Sequence, residues 1–305
     1  MPLVLATYNV KNLFDAASDA ERPLWDRKLE LLADTLRACN ADVVGLQEVG
    51  SPDAARELAS RLRDLGYSEP VFATADTRGI RCALLARFPV AFAHVLKSAA
   101  LPFPTFAAFD PPPFGTRIPL RRGIVHAGIE VPAIGLVHVL VAHLKSPRPL
   151  GMKDTGGQEV TGAGAHERAQ DFVRTVVWRL AESLFVREQV DAILAGDPTA
   201  RVALVGDLND VPQSATLCVL RGQSDDAGAL FDCTERIEPA CRFSIVHEAR
   251  PSQVDHILAT AGLYGRLRGA RFLNATLRDH GPVRETVLEG VTVDSDHAPL
   301  VAYFD

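Results

Sequence analysis

The sequence predicts an α/β or α+β fold, and three observations indicate it. Short apolar runs typical of buried strands alternate with stretches of helical periodicity along the chain. The 305 residues are 47% hydrophobic, which is enough for a core of ordinary size. No low-complexity linker or short-period repeat divides the sequence. We therefore expect a single domain over residues 1–305.

The first half of the chain predicts mainly strands, with two helices among them. Apolar runs at 4–8 and 43–46 predict two buried strands. Apolar residues at helical spacing predict one helix after each, through Leu29, Leu32, Ala33 and Leu36 and through Ala55, Leu58, Ala59 and Leu62. Four further strands are predicted around 83–85, 90–95, 124–129 and 137–142.

The second half begins with a long amphipathic stretch that ends near Gly196. We expect the buried face of this helix to consist of Ala169, Phe172, Val173, Val176, Val177, Leu180 and Leu184. A strand at 202–205 follows it, and the apolar residues 300–303 predict the last strand.

Composition limits the class of protein. No apolar stretch approaches the roughly 20 residues needed to span a bilayer, so no membrane span is predicted. The N-terminus lacks a basic region followed by an extended apolar one, which predicts a mature, cytoplasmic chain. Five cysteines without CxxC spacing argue against a disulfide framework and against a zinc site. The net charge of −6 disfavours tight binding to long duplex DNA without excluding a nuclease, and no obligate protein partner is inferred.

Polar residues stand where the predicted strands end. The turn Gly206–Asp210 follows one strand, and Asn9, Glu48 and His143 follow three others. Asp296 and His297 precede the last strand. Each of these alone is also typical of an ordinary turn or a solvated strand end. Five of them at one edge of a layered sheet would form a shared pocket.

The sequence also predicts how two side chains of the turn Gly206–Asp210 are oriented. Alternate residues of a strand share a direction, so we expect Asp207 and Asn209 to point together. They would then present a carboxylate and an amide to one ligand.

Six motifs occur in the order seen in the endonuclease/exonuclease/phosphatase superfamily, and the chain resembles a bacterial member of it from Leu3 to Phe304. They are Tyr8-Asn9-Val10, Gln47-Glu48, His143-Leu144-Lys145, Gly206-Asp207-Leu208-Asn209-Asp210, Val254-Asp255-His256-Ile257-Leu258 and Ser295-Asp296-His297. The resemblance implies a four-layer DNase I-like sandwich. In that fold two mixed β-sheets pack face to face, helices cover both outer sides, and the site lies at one end.

The resemblance also implies a divalent metal ion. Glu48, Asp207, Asp255 and Asp296 would be four acids around one cleft, where like charges raise one another's pKa unless a cation neutralises them. Glu48 is the expected metal ligand, Asn9 supports it, and Asp296 is assigned to the metal site with them. Oxygen ligands without cysteine fit Mg²⁺ or Mn²⁺ better than zinc.

The catalytic roles follow from the same resemblance. Asp207 would orient or deprotonate the attacking water, and Asn209 would hold the nucleophile or a phosphate oxygen. His297 would contact the scissile phosphate, while His143 would protonate the leaving oxygen or stabilise charge. Asp255 would orient one histidine.

Three basic residues are candidates for substrate binding. Lys145, Arg78 and Arg81 would add positive charge near a bound phosphate. Simple exposure to solvent is the alternative interpretation for all three.

The expected activity is metal-dependent hydrolysis of a phosphodiester, with a nuclease acting on DNA or RNA as the leading hypothesis. Asp210 stands where inositol-polyphosphate phosphatases continue with Tyr-Arg, and His143 replaces the tyrosine of abasic-site repair enzymes. A phosphomonoesterase or a sphingomyelinase-like phospholipase is the alternative. A catalytically silent binding module is a third possibility, but no motif acid is missing. The partner is therefore a nucleic acid or another phosphate ester.

Overall fold

The computed structural model describes most of the chain. It covers residues 2–102, 118–148, 164–277 and 295–305, together with residue 279 and the pairs 152–153, 159–160, 287–288 and 291–292. Two six-stranded sheets lie at its centre.

The first sheet brings the two ends of the chain side by side. Its strands, in spatial order, are β15 (Leu267–Phe272), β18 (Leu300–Phe304), β1 (Leu3–Leu13), β2 (Val43–Val49), β4 (Arg81–Ala86) and β3 (Val71–Phe72). β1 runs parallel to β2 and antiparallel to β18, so the sheet is mixed.

The second sheet is mixed in the same way. Its strands, in spatial order, are β11 (Leu230–Asp232), β14 (Asp255–Thr260), β10 (Arg201–Asp207), β7 (Gly135–His143), β6 (Ile124–Val131) and β5 (Val90–Leu96). β10 is parallel to β7 and antiparallel to β14.

Short pairs of strands and several helices complete the described fold. The pairs are β8 (Met152–Lys153) with β9 (Glu159–Val160), β12 (Ile245–His247) with β13 (Arg250–Ser252), and β16 (Val287–Leu288) with β17 (Val291–Thr292). The α-helices are α1 (Arg22–Cys39), α2 (Pro52–Arg61), α3 (Ala165–Gly196), α4 (Ala215–Arg221) and α5 (Ala261–Tyr264). Three single-turn 3₁₀ helices span Arg63–Leu65, Cys233–Arg236 and Pro239–Cys241.

Alternation along the strands builds three apolar layers. In β1, Leu3 and Leu5 face the second sheet, whereas Ala6 and Tyr8 face the opposite way. The middle core joins the two sheets, a second core lies between the first sheet and α1 and α2, and a third packs the second sheet against α3 and α4. The predicted four-layer sandwich is confirmed.

The face of α3 was predicted wrongly. Phe172 and Val173 are exposed, at 62% and 57% of their surface, and the buried stripe instead contains Thr175, Arg179 and Glu182. These polar side chains tolerate burial because they are hydrogen-bonded: Thr175 donates to the Asp171 carbonyl within α3, Arg179 donates to the Lys145 carbonyl, and Glu182 accepts from the Lys145 backbone N–H. The spacing of apolar residues could not predict this face of α3, because part of it is buried through polar contacts.

Within the described residues, no helix combines the length and apolar character needed to cross a bilayer.

Gly206 allows β7 and β10 to approach closely beside the site. Its φ of +149° is rare for other residues, and a Cβ there would lie 1.9 Å from the carbonyl oxygen of Ala142. We expect Gly206→Ala to lower the free energy of unfolding by about 3 kcal/mol, because the two strands must separate or the backbone must strain. Denaturant unfolding measures this.

Gly269→Ala is the matched control, because Gly269 lies in β15 and a Cβ added there would have no atom within 4 Å. Its free energy of unfolding should change by about 0.5 kcal/mol or less. Equal losses in the two variants would contradict the close approach of the strands at Gly206.

Candidate active site

The inward-facing positions of four strands end in polar residues. The inward alternation of Val139 and Val141 in β7 continues to His143, and that of Ala203 and Val205 in β10 continues to Asp207. The same alternation places Asn9 of β1 and Asp255 of β14 between the sheets. Strand register then sets Asp207 opposite Asp255 and beside His143. The predicted convergence at one edge is present in the structure.

Asp207 lies at the centre of this cluster and is 2% exposed. Its Oδ2 accepts a hydrogen bond from Asn9 Nδ2 at 3.0 Å, and its Oδ1 accepts one from the backbone N–H of Asn209 at 3.0 Å. The Nε2 atoms of His143 and His297 lie 3.5 and 3.9 Å from Asp207 Oδ2. Burial, followed by the charge of Asp255, raises the pKa of Asp207 to about 7.

Asp255 and His297 form a close polar pair. His297 Nδ1 lies 2.7 Å from Asp255 Oδ2, and the backbone N–H of His297 donates to Ser295 Oγ. Burial lowers the pKa of His297, but the negative charge of Asp255 outweighs it and raises that pKa to about 10. His297 is therefore a cation near neutral pH.

The cluster has the donors and the charge that a cation requires. Oxygen atoms of Asp207 and Asp255 lie within 4.8 Å of each other and of His297, which as a cation would not itself be a ligand. Among the described residues, Asp255 Oδ1 is buried without a hydrogen-bond partner, which is costly for a carboxylate. An adjacent cation would satisfy that oxygen and relieve the raised pKa of Asp207. The described residues thus fit a hard divalent ion.

Glu48, Asn9 and Asp296, the residues predicted on the metal side, occupy separate positions around this group. Glu48 is half-buried at the end of β2, with a left-handed φ of 63°, and its Oε2 accepts from the backbone N–H of Asn12 at 2.9 Å. Asp296 Oδ2 lies 2.5 Å from Lys11 Nζ. Burial raises the pKa of Asp296, but the charges of His297 and Lys11 outweigh it and the pKa is lowered. Asn9 directly contacts Asp207, as described above.

Asn209 lies outside the strand from whose geometry its direction was predicted. β10 ends at Asp207, and Asn209 has a left-handed φ of 54° in the following turn. Its Nδ2 donates to the carbonyl oxygen of Leu144 at 3.1 Å. Strand alternation does not extend to Asn209 because the strand has already ended at Asp207.

The three predicted substrate-binding residues differ in environment. Lys145 is only 2% exposed, and its Nζ donates to the carbonyl oxygens of Ser146 and Arg148, at 2.5 and 2.6 Å. Burial, followed by Arg121, lowers the pKa of Lys145 to about 8. The Arg78 side chain is 51% exposed beside Asp76. Arg81 Nη2 donates to the carbonyl oxygen of Gly50 at 3.4 Å.

Arg122 belongs to the site, although the sequence did not assign it there. It is 4% exposed, and its Nη1 lies 2.8 Å from both ring nitrogens of His143. Burial and then the charge of Arg122 lower the pKa of His143 well below its ordinary value. His143 is therefore neutral near pH 7. The adjacent pair Arg121-Arg122 was the only sequence signal, and it does not indicate which side chain turns inward.

Beneath the acidic turn lies a buried pair that supports it. His256 Nδ1 is 2.9 Å from Asp232 Oδ2, and His256 Nε2 is 3.0 Å from the carbonyl oxygen of Asp210. Gln253 and Thr234 complete the hydrogen bonds of this group. Asp210 Oδ2 in turn accepts from Arg179 Nε at 3.0 Å, so the turn is held from both the sheet and α3.

A four-layer sandwich whose sheets carry carboxylates and histidines at one edge defines a class of phosphate-ester hydrolases, and sequence comparison agrees. The model of the endonuclease/exonuclease/phosphatase family matches residues 6–297. The chain belongs to this family, which confirms the predicted resemblance. No curated protein matches the sequence significantly.

Solved structures share the fold. An endonuclease/exonuclease/phosphatase family protein from Bacteroides thetaiotaomicron has a TM-score of 0.62 and 18% identity, with 100% of this chain and 98% of that chain covered. Truncated TDP2 from Caenorhabditis elegans has a TM-score of 0.59 and 18% identity, with 99% and 97% covered. Mannosyl-6-phosphatase from Bacteroides thetaiotaomicron has a TM-score of 0.60 and 18% identity, with 98% of each chain covered. At these identities the likeness shows the fold alone.

Proposed function

We propose that the protein is a divalent-metal-dependent phosphodiesterase, and that a nucleic acid, DNA or RNA, is its substrate. The observation that carries this proposal is the meeting of Asp207 and Asp255 with one cationic and one neutral histidine at the same sheet edge. Mg²⁺ or Mn²⁺ is the proposed ion. When bound, it would neutralise the carboxylates and polarise a phosphate oxygen.

The first group of side chains would act on the nucleophile. Asp207, as a carboxylate fixed by Asn9 and by the Asn209 backbone, would accept a proton from the attacking water. Its pKa is raised to about 7 in the cation-free protein, and a bound cation would favour the carboxylate form that accepts the proton. Asn209 fixes the turn through Leu144, and Glu48 and Asp296 would add negative charge on the cation side.

The histidines would act on the phosphate. His297, held as a cation by Asp255, would donate a hydrogen bond to a non-bridging oxygen. His143 is neutral, so it suits a hydrogen-bond donor that stabilises developing charge better than it suits a proton donor to the leaving oxygen. Arg78, Arg81 and Lys145 are proposed to contribute positive charge around the substrate.

Phosphomonoesterase or sphingomyelinase-like activity is the alternative for the same site. The mannosyl-6-phosphatase fold neighbour is consistent with a monoester substrate, although the likeness extends only to the fold. A substrate panel separates these activities: single-stranded DNA, duplex DNA, RNA, sugar phosphates, inositol phosphates and sphingomyelin, each with Mg²⁺ or Mn²⁺. We expect the highest kcat/KM on a nucleic acid. Preferential turnover of a monoester or of sphingomyelin would contradict the nuclease assignment.

Binding of Mg²⁺ or Mn²⁺ should release protons near neutral pH. The pKa of Asp207 is raised to about 7 in the cation-free protein, so part of the population holds a proton at pH 7, whereas a cation requires the carboxylate. We expect release of about half a proton per ion at pH 7 and tighter binding as the pH rises from about 6 to 8. Calorimetry in buffers of different ionisation enthalpy measures the release.

Asp207→Asn is the control for this linkage, because the amide carries no titrating proton. It should bind the ion more weakly and with less proton release. If wild type binds the ion with heat independent of the buffer, Asp207 is not protonated as described.

A further inference from the structure

Arg122 contacts a side chain and a backbone carbonyl of the site, those of His143 and Leu144. Its Nη1 lies against both nitrogens of the His143 ring, and its Nη2 donates to the carbonyl oxygen of Leu144 at 3.1 Å. A nitrogen equidistant from both ring nitrogens is packed against the imidazole and is not engaged in one linear hydrogen bond. The position of this ring therefore depends on where the guanidinium lies.

The same carbonyl links Arg122 to the acidic turn. Leu144 O also accepts from Asn209 Nδ2 at 3.1 Å, and the backbone N–H of Leu144 donates to the carbonyl oxygen of Asp207 at 3.1 Å. One guanidinium thus contacts His143 directly and Asn209 through a shared acceptor. Both residues border Asp207, so the contacts of Arg122 reach both sides of the proposed base.

Burial of the Arg122 guanidinium costs desolvation free energy, so its position is not explained by a gain in stability. A guanidinium that is 4% exposed has lost most of its hydration, and its Nε has no hydrogen-bond partner in the described part of the chain. Glu182 of α3 is buried nearby and interacts electrostatically with Arg122, but its oxygens accept from the backbone N–H groups of Arg121 and Lys145. The hydrogen-bonding contacts of the guanidinium within the described residues are with His143 and Leu144 and not with a carboxylate.

We propose that Arg122 is a positioning residue, which fixes the His143 ring beside Asp207 and fixes Asn209 through the Leu144 carbonyl. It acts through these two residues and does not itself contact the reacting atoms. The proposal rests on the phosphodiesterase function proposed above. It adds a specific claim: removing Arg122 lowers kcat because His143 and Asn209 are then no longer held in place.

A double-mutant comparison tests that claim on the substrate of highest kcat/KM. Arg122→Met should lower kcat about 10- to 100-fold in the wild-type background, the range found for residues that orient catalytic groups. In the His143→Ala, Asn209→Ala background, the same change should lower kcat by less than about 2-fold. An equal loss in both backgrounds would show that Arg122 acts independently and would overturn the proposal.

Two further variants separate positioning from stability. Arg122→Lys keeps the charge but replaces the planar fork with one ammonium, so we expect a stable fold and a kcat still reduced about 10-fold or more. Arg61→Met removes another partly buried arginine, which lies 2.7 Å from Asp26 and has an unpartnered Nε. Arg61→Met should lose stability but keep its kcat. Full activity in Arg122→Lys would contradict a role for the contacts of Arg122 with His143 and Leu144. An equal loss of kcat in Arg61→Met and Arg122→Met would contradict it as well.

The order of the His143 ring can be measured without substrate, so the positioning role of Arg122 can be tested separately from the proposed function. Long-range ¹H–¹⁵N NMR spectra of histidine rings report tautomer and ring exchange in the intact protein. We expect one ordered set of His143 signals in wild type and broadened or averaged signals in Arg122→Met. Unchanged signals would overturn the positioning role, even if the enzyme is active. Changed signals in a protein that hydrolyses no phosphate ester would uphold the positioning role and reject the proposed function.

Discussion

Asp207→Asn is expected to lower kcat by at least about 100-fold, the scale of removing a general base. The amide keeps the size of the carboxylate, but its single oxygen replaces only one of the two carboxylate oxygens that accept from Asn9 and from the Asn209 backbone. It cannot accept the proton of the attacking water. Burial and Asp255 disfavour the charge of Asp207, so removing that charge offsets the lost hydrogen bond, and the variant should be folded at pH 8 without added metal.

Steady-state kinetics and denaturant unfolding on the same preparation check both parts. Asp53→Asn makes the same chemical change in α2, where the side chain is 86% exposed, and should leave kcat unchanged. A fully active Asp207→Asn protein would reject Asp207 as the base. Lost activity together with lost structure would show a structural role instead.

His297→Ala is expected to cause a second large loss, also at least about 100-fold in kcat. The change removes a cation that lies between two buried carboxylates, 2.7 Å from Asp255 and 3.9 Å from Asp207. The phosphate would lose a charged hydrogen-bond donor. Asp255 would in addition lose the partner of its Oδ2, while its Oδ1 has none in the described structure without a metal ion.

The pair His297 and Asp255 should behave as one unit. We expect the double variant His297→Ala, Asp255→Ala to be only slightly slower than the worse single variant, because each residue depends on the other for its state. His247→Ala removes an exposed histidine of β12 and serves as the control. Multiplicative losses in the double variant would show that Asp255 contributes separately from His297.

Much of the fold followed from local pattern. The apolar runs became strands of the two sheets, and the spacing of Leu29, Leu32, Ala33 and Leu36 correctly predicted the buried face of α1. The convergence of Asn9, His143 and Asp207 followed because alternation along a strand continues from the apolar core to the polar strand end.

Features that depend on distant hydrogen bonds did not follow from the sequence. The buried polar stripe of α3, the burial of Lys145 and the contact between Arg122 and His143 each require a partner more than twenty residues away or a loop conformation. Spacing of residues carries no information about such partners. The strand alternation used for Asn209 fails for a local reason, since its left-handed backbone lies beyond the end of β10.

Dependence of turnover on a divalent cation tests the central claim most directly. Hydrolysis of the substrate of highest kcat/KM should fall to background in excess EDTA and return when Mg²⁺ or Mn²⁺ is added beyond the chelator, because two buried carboxylates, Asp207 and Asp255, lie beside one cationic histidine and the pKa of Asp207 is still raised. The same addition should not restore Asp207→Asn. Undiminished hydrolysis by wild type in excess EDTA would contradict the account.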